Sequence, residues 1–215
     1  MTLSILICVH STDEKHDNML IEALKSLNVQ TYKEFDVFIV FDECWINTSK
    51  SIKDTYNFTI TRLYHEKKEG LSVAKNFALN YINSEWIGYL DSDDLYLPTK
   101  LEKQVEYIKK NDVDFLGTKS LYKKDGKLIN SRQMYPWWNK HETNEEIVNV
   151  LRDNENILTH GSMLIRKSCL DNLKYNNVKG MEDWDLWKRA IKIGYKFHQL
   201  QDELYIYSIG TSVER

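Results

Sequence analysis

The feature that most limits the fold of this chain is an alternation of two hydrophobic periods over its first ninety residues. Apolar runs of strand length, "LSILICV" (3–9), "FDVFIVF" (35–41), "FTITRLY" (58–64) and "WIGYL" (86–90), are separated by stretches with helical spacing. In "MLIEALKSL" (19–27), Leu20, Ala23, Leu24 and Leu27 share one helical face. In "SVAKNFALNYI" (72–82), Ala74, Phe77, Ala78 and Tyr81 do the same, and the polar segment 46–56 is a less periodic helix candidate. Strands that are apolar on both faces need cover on both sides. The pattern therefore predicts an α/β fold with a mostly parallel central sheet flanked by helices.

Beyond that point "PTKLEKQVEYIKK" (98–110) predicts a helix, with Thr99 and Glu102 spaced as a capping box and Leu101, Val105 and Ile108 as its buried stripe. After residue 113 the alternation weakens. "VDFLGTKSLY" and "KLINSRQMY" read as a strand pair around "KKDGK" (123–127), because Asp-Gly favours a hairpin turn. "GSMLIRK" (161–167) reads as a strand, "MEDWDLWKRAIKI" (181–193) as a helix and "ELYIYS" (203–208) as a late strand. No low-complexity linker divides the 215 residues, so a single domain over 1–215 is expected, with a mixed second half.

Composition narrows the function classes. A net charge of −3 supplies no general basic field, which argues against nucleic acid as the main partner. Cys8, Cys44 and Cys169 form no CxxC pair, so neither a disulfide framework nor a thiolate zinc site is indicated. The N-terminal apolar run has seven residues and no basic flank, so neither a signal peptide nor a membrane span is expected, and a cytoplasmic protein is.

The chemistry concentrates in "LDSDDLYLP", where Asp91, Asp93 and Asp94 follow the fourth apolar run at once. In open α/β sheets ligands sit outside the carboxyl ends of the strands, which is where this cluster falls. Hard oxygen ligands of this kind suit Mg²⁺ or Mn²⁺, with phosphate oxygens and water completing the shell. The other reading is an Asp/Ser-rich turn ahead of the next helix; the apolar run leading into the cluster tips the balance towards metal. A haloacid-dehalogenase-type phosphatase would place such a pair after the first strand, and paired glycosidase carboxylates work across a cleft without metal.

Four ordered blocks, "LSILICVHS", "EALKSLNVQTYKEFDVFIVFDE", "EGLSVAKNFAL" and "WIGYLDSDDLYLPTKLEKQ", resemble the inverting nucleotide-sugar glycosyltransferases of family 2, which have a GT-A fold. The likeness resumes at "GSMLIRKSCL" and "GMEDWDLWKRAIKIGYKF". It implies a nucleotide-sugar-binding half over 1–117 and an acceptor-binding half over 118–215. It implies that the loop after the first strand, Val9, His10 and Ser11, holds the nucleoside, with Asp42 bonding the base or ribose. Lys75 and Asn76 stand near the base or diphosphate, and Asp91 and Ser92 near the ribose. Asp93 or Asp94 binds Mn²⁺ or Mg²⁺. Asp183 matches the general base, with Glu182 beside it. From the residues alone, Asp183 reads first as an acidic residue placed favourably in a helix's first turn.

That resemblance implies sugar transfer from a nucleoside diphosphate, UDP first, to a hydroxyl of a glycan, lipid-linked or protein-linked acceptor. Trp137, Trp138, His160 and Trp184 are candidates for the acceptor side, against plain structural roles for the same residues. The chain departs from the family pattern in three places: Cys8 and Ser11 replace a Pro and an Asn around the first loop, Phe41 replaces the first Asp of a pair after the second strand, and "YSIGTSVER" lacks a late His. It carries no membrane helices like those of processive synthases. A soluble enzyme adding one sugar, a homo-oligomer, or one domain of a longer transferase all agree with the sequence. A sugar nucleotidyltransferase is a rival, though "ICVHSTDEK" lacks the glycines a triphosphate loop needs. An inactive nucleotide-sugar-binding module is the non-enzyme alternative.

Overall fold

The computed structural model describes residues 1–10, 13–42, 48, 52, 55–65, 69–134, 141–153, 155–178 and 180–211. The first half alternates as its periodicity predicts. Strand β1 (Leu3–Val9) leads to helix α1 (Glu14–Asn28), and strands β2 (Asp36–Asp42) and β3 (Ile60–His65) follow. Helix α2 (Leu71–Leu79) then leads to β4 (Trp86–Tyr89). These four strands are parallel neighbours in the order β3-β2-β1-β4, with Ile5 opposite Val37 and Gly88. The first loop, Asp42, His65 and the Asp91–Asp94 cluster consequently all emerge at one edge, the carboxyl ends of parallel strands.

After the short strand β5 (Leu95–Tyr96) and helix α3 (Lys100–Lys110), the chain builds β6 (Phe115–Lys124) and β7 (Lys127–Ile129). Helices α4 (Ser131–Met134) and α5 (Asn144–Arg152) lead to a 3₁₀ turn at His160–Ser162, strand β8 (Leu164–Arg166) and helix α6 (Lys167–Leu173). Helix α7 (Glu182–Ile193) and strand β9 (Phe197–Ser208) end the described fold. The sheet continues from β4 as β8-β6-β9-β5, with β7 paired to β6. Here β4–β8, β8–β6, β6–β7 and β9–β5 are antiparallel and β6–β9 is parallel. The second half is mixed, as the loss of alternation implied.

Two cores fill the space on either side of the sheet. Leu6 and Cys8 of β1 face one together with Ala74, Ala78, Leu151, Leu170 and Trp187. Ile5, Ile7 and Val9 face the other with Leu20, Leu24, Leu27, Leu101 and Val105. The strand's period of two thus sorts one apolar run into two opposed cores. Beyond β6, Asp125 and Gly126 both take positive φ (49° and 75°), the conformation a tight hairpin turn demands.

Several local expectations are corrected. Thr99 makes no side-chain cap on α3, and Glu102 accepts instead from the Thr31 hydroxyl at 3.0 Å. The strand expected over 127–135 stops at Ile129 and turns into α4; that over 161–167 shrinks to three residues; the late strand begins six residues earlier, at Phe197. Helix α5 was not anticipated, although Thr143 and Glu146 form a reciprocal capping box there. Most of the 46–56 helix candidate lies outside the described residues. Among the described residues no helix is long and apolar enough to cross a membrane.

Candidate active site at the strand carboxyl ends

A small cleft opens where β1 and β2 end, lined by Cys8, Val9, His10, Asp42, Gly70, Leu71 and Ala74. His10 donates from Nδ1 to the Asp42 carbonyl at 3.0 Å, which ties the first loop to the second strand. The Asp42 carboxylate is buried and meets His65 Nδ1 at 3.1 Å. His65 in turn reaches Glu69 through Nε2 at 3.3 Å. His65 therefore holds Asp42 from the third strand, a role no local pattern announced. Of the residues expected around a nucleoside, Val9, His10 and Asp42 meet in one cleft; Ser11 lies outside the described residues.

The Asp cluster forms a tight turn, with the Asp94 amide donating to the Asp91 carbonyl at 3.1 Å. Its three carboxylates have different surroundings. Asp94 is turned inward, 1% exposed, and accepts from the Tyr205 hydroxyl and the Ser208 amide, both at 2.6 Å. Burial raises its pKa well above the usual carboxylate value, reinforced by the charges of Asp91 and Asp93 and opposed by those two hydrogen bonds. Asp93 stays half-buried and accepts from the Thr211 hydroxyl at 2.6 Å. Asp93 also lines a cleft of about 640 Å³ beside α1 and the β6–β7 hairpin.

This donor set fits a hard divalent cation. Two partly open carboxylates, Asp91 and Asp93, with a third charge behind them, produce the mutual repulsion that a cation relieves. Mg²⁺ and Mn²⁺ need only one or two protein carboxylates when phosphate completes the shell. Among the described residues no group of three His, Cys, Asp or Glu side chains converges as a closed metal cage. Asp94, expected as a metal ligand, instead anchors the end of β9 with both its oxygens.

The carboxylate pair at the start of α7 comes from the other half of the chain. Gly180 and Met181 precede it with positive φ (70° and 54°), so the backbone turns sharply into the helix. Asp183 accepts from the Trp184 amide at 2.7 Å and from Asn156 Nδ2 at 3.2 Å. Its pKa is raised, first by burial; Lys75 lowers it, Glu182 raises it, and the two hydrogen bonds lower it. Such a carboxylate is a stronger base than one in water.

Lys75 and Asn76 do not line the cleft at Val9, His10 and Asp42. Lys75 is 2% exposed, pairs with Glu182 at 2.8 Å, and is absent from the cleft lining that its neighbours Leu71 and Ala74 share. Asn76 donates to the Tyr175 carbonyl (2.7 Å) and accepts from the Tyr175 amide (2.9 Å). His160 is buried too, bonded to Tyr175 Oη at 2.9 Å, its pKa held well below normal by burial and by Lys75. It is a neutral packing residue, not a group open to an acceptor. Trp184 is half-buried against the core, with Lys188 Nζ 4.5 Å from its ring centroid. Trp137 and Trp138 lie outside the described residues. Sequence reading overlooked Asn156, Tyr175, Tyr205 and Thr211, which act on partners far along the chain.

Comparison with known proteins bears on the family and the fold. Residues 4–174 match the profile of the family described as Glycosyl transferase family 2. The chain is 29% identical over 196 residues to the O-antigen biosynthesis glycosyltransferase WbnJ of Escherichia coli, covering 88% of this chain and 71% of that protein. Among solved structures, S. aureus TarS 1-349 in complex with UDP-GlcNAc superposes with a TM-score of 0.79 at 19% identity, over 100% of this chain and 60% of that one. The mannosyltransferase PcManGT from Pyrobaculum calidifontis, in complex with GDP-Man and Mn²⁺, gives 0.74 at 15% identity, over 99% and 58%. The fold is thus GT-A, and the chain spans about three fifths of the length of these two structures.

Proposed function

Because the chain belongs to glycosyltransferase family 2 and is a glycosyltransferase, we propose that it moves a sugar from a nucleoside diphosphate, UDP first, to an acceptor hydroxyl with inversion. The observation that carries this reading is the meeting of two halves. Val9, His10, Asp42 and the Asp91–Asp94 turn share one sheet edge, and α7 brings Glu182, the residue before Asp183, against Lys75 of the helix that begins there. In this reading the cleft at Val9, His10 and Asp42 takes the nucleoside. Asp42, fixed by His65, offers its carboxylate to an N–H or hydroxyl of that group.

Asp91 and Asp93 would hold Mn²⁺ or Mg²⁺, whose part is to neutralise charge growing on the leaving diphosphate. The acceptor hydroxyl is a weak nucleophile, so its proton must leave during attack. Asp183 takes that proton at its carboxylate; burial raises its basicity, and Asn156 and the Trp184 amide fix its orientation. One base and one displacement invert the anomeric centre. The O-antigen relative and the UDP-GlcNAc complex support a nucleotide-sugar donor and a glycan or lipid-linked glycan acceptor. In this reading residues 1–117 serve the donor and 118–215 the acceptor.

The test uses UDP-glucose, UDP-N-acetylglucosamine and GDP-mannose with Mn²⁺, following nucleotide release and calorimetric UDP binding. Wild type should bind UDP and release it from one of the sugars. Asp183→Asn should keep UDP affinity within about twofold and lose turnover by about 10²–10⁴-fold, the range of a general base. Full turnover in Asp183→Asn would remove it as the base; failure to bind any of these nucleotides would remove the donor reading.

A further inference from the structure

Helix α2 carries two consecutive residues that reach about a hundred positions down the chain to the segment bearing Asp183. Asn76 grips Tyr175 by both backbone groups (2.7 and 2.9 Å), and Lys75 grips Glu182, the residue before Asp183, at 2.8 Å. The Lys75 ammonium is enclosed: His160 Nδ1 lies 3.4 Å away, and the Tyr175 ring centroid 5.0 Å away. A cation facing Nδ1 makes that nitrogen an acceptor, so His160 carries its proton on Nε2 and donates to Tyr175 Oη at 2.9 Å. Between these two anchor points the chain passes through left-handed conformations at Gly180 and Met181. A non-glycine residue there is strained and persists only when its surroundings hold it.

We propose that Lys75 is a positioning residue of the transfer reaction: through its buried pair with Glu182 it clamps the first turn of α7 and sets its charge beside Asp183, without touching the donor. The inference rests on Asp183 as base, and it replaces the donor contact expected of Lys75. Among the described residues, Lys75 and Glu182 are the charged groups that act on Asp183, and they act with opposite sign. Its remaining partners, Asn156 and the Trp184 amide, are uncharged. Removing either member of the pair should therefore move Asp183 in opposite directions, which general loosening of the fold would not do.

The experiment titrates the Asp183 carboxyl carbon by ¹³C NMR, assigned with Asp183→Asn, and measures UDP binding with Mn²⁺ by calorimetry. Lys75→Met should shift the titration to higher pH, Glu182→Gln to lower pH, and Lys75→Arg should restore wild-type behaviour. UDP affinity should stay within about threefold throughout. If Lys75→Met strips Glu182 of its lysine and fails to fold, Glu182→Gln and Lys75→Arg still decide the sign. Unmoved titration in Glu182→Gln, or UDP affinity lost more than about tenfold in a folded Lys75 variant, overturns the proposal. Full turnover in Asp183→Asn instead sinks the base assignment and leaves the titration result standing.

Discussion

Gly161→Ala is expected to be among the most damaging single-methyl additions to this fold. Gly161 sits in the 3₁₀ turn ahead of β8, and a Cβ built on it falls 2.9 Å from Tyr205 Cε2 and deeper still into Cζ and Oη. Tyr205 is fully buried, so its ring has no free direction. Overpacking of this kind costs about 1–3 kcal/mol. Displacing the ring also breaks the 2.6 Å hydrogen bond from Tyr205 Oη to the buried Asp94 carboxylate, worth about 1.5–3 kcal/mol for a charged acceptor. Together they predict a loss of about 2.5–6 kcal/mol, or on the order of 5–25 °C in Tm for a chain of this size.

Urea unfolding of four proteins measures it: wild type, Gly161→Ala, Tyr205→Leu and the double variant. Once the ring is gone the alanine should fit, so adding it to Tyr205→Leu should cost less than about 1 kcal/mol, a strong coupling between the two positions. A Gly161→Ala protein within about 0.5 kcal/mol of wild type would refute the reasoning. So would an equal cost in both backgrounds, since the clash with Tyr205 would then not be the cause.

Tyr89, Tyr96, Tyr175 and Tyr205 all have pKa values raised above 10.0, first by burial. A phenol held neutral in the native state stabilises it below pH 10, and that contribution falls as rising pH ionises the unfolded chain. Alkaline unfolding should accordingly begin near pH 10, with tyrosinate absorbance and loss of circular dichroism rising together; separate transitions would contradict it. Thr143→Ala should destabilise by about 1 kcal/mol through loss of the α5 capping box, read by urea midpoint at unchanged slope. Asn156→Leu removes a hydrogen bond that lowers the Asp183 pKa, so the acid limb of turnover should move to higher pH; an unmoved limb would show that Asn156 does not act on the base. His65→Ala should weaken UDP binding about tenfold by freeing Asp42, and unchanged calorimetric affinity would contradict that coupling.

What the sequence by itself determined was whatever depends on short-range periodicity and turn chemistry. Four apolar runs of strand length called for a doubly covered parallel sheet because apolar faces on both sides must be buried, and β1 to β4 form it. The Asp-Gly step marked the β6–β7 hairpin through the positive φ those residues tolerate. Asp91–Asp94 could be placed at the functional edge because ligands gather at strand carboxyl ends. The capping box of α5 lay in "TNEE" but went unread, because the surrounding stretch had no clear period.

Tertiary structure alone decided what each polar side chain does. Asp94 and Asp93 are adjacent in "DSDD", yet one is enclosed by Tyr205 and Ser208 while the other faces a cleft, and their partners lie more than a hundred residues away. Lys75 and Asn76 sit in a family-like donor block but spend their hydrogen bonds on Glu182 and Tyr175. His160 is neutral because the fold surrounds it with aromatic rings and a lysine. Local patterning follows from how one residue relates to its near neighbours along the chain. Burial, charge pairing and protonation follow from which distant segments the sheet brings within three ångströms, and no short window of residues carries that information.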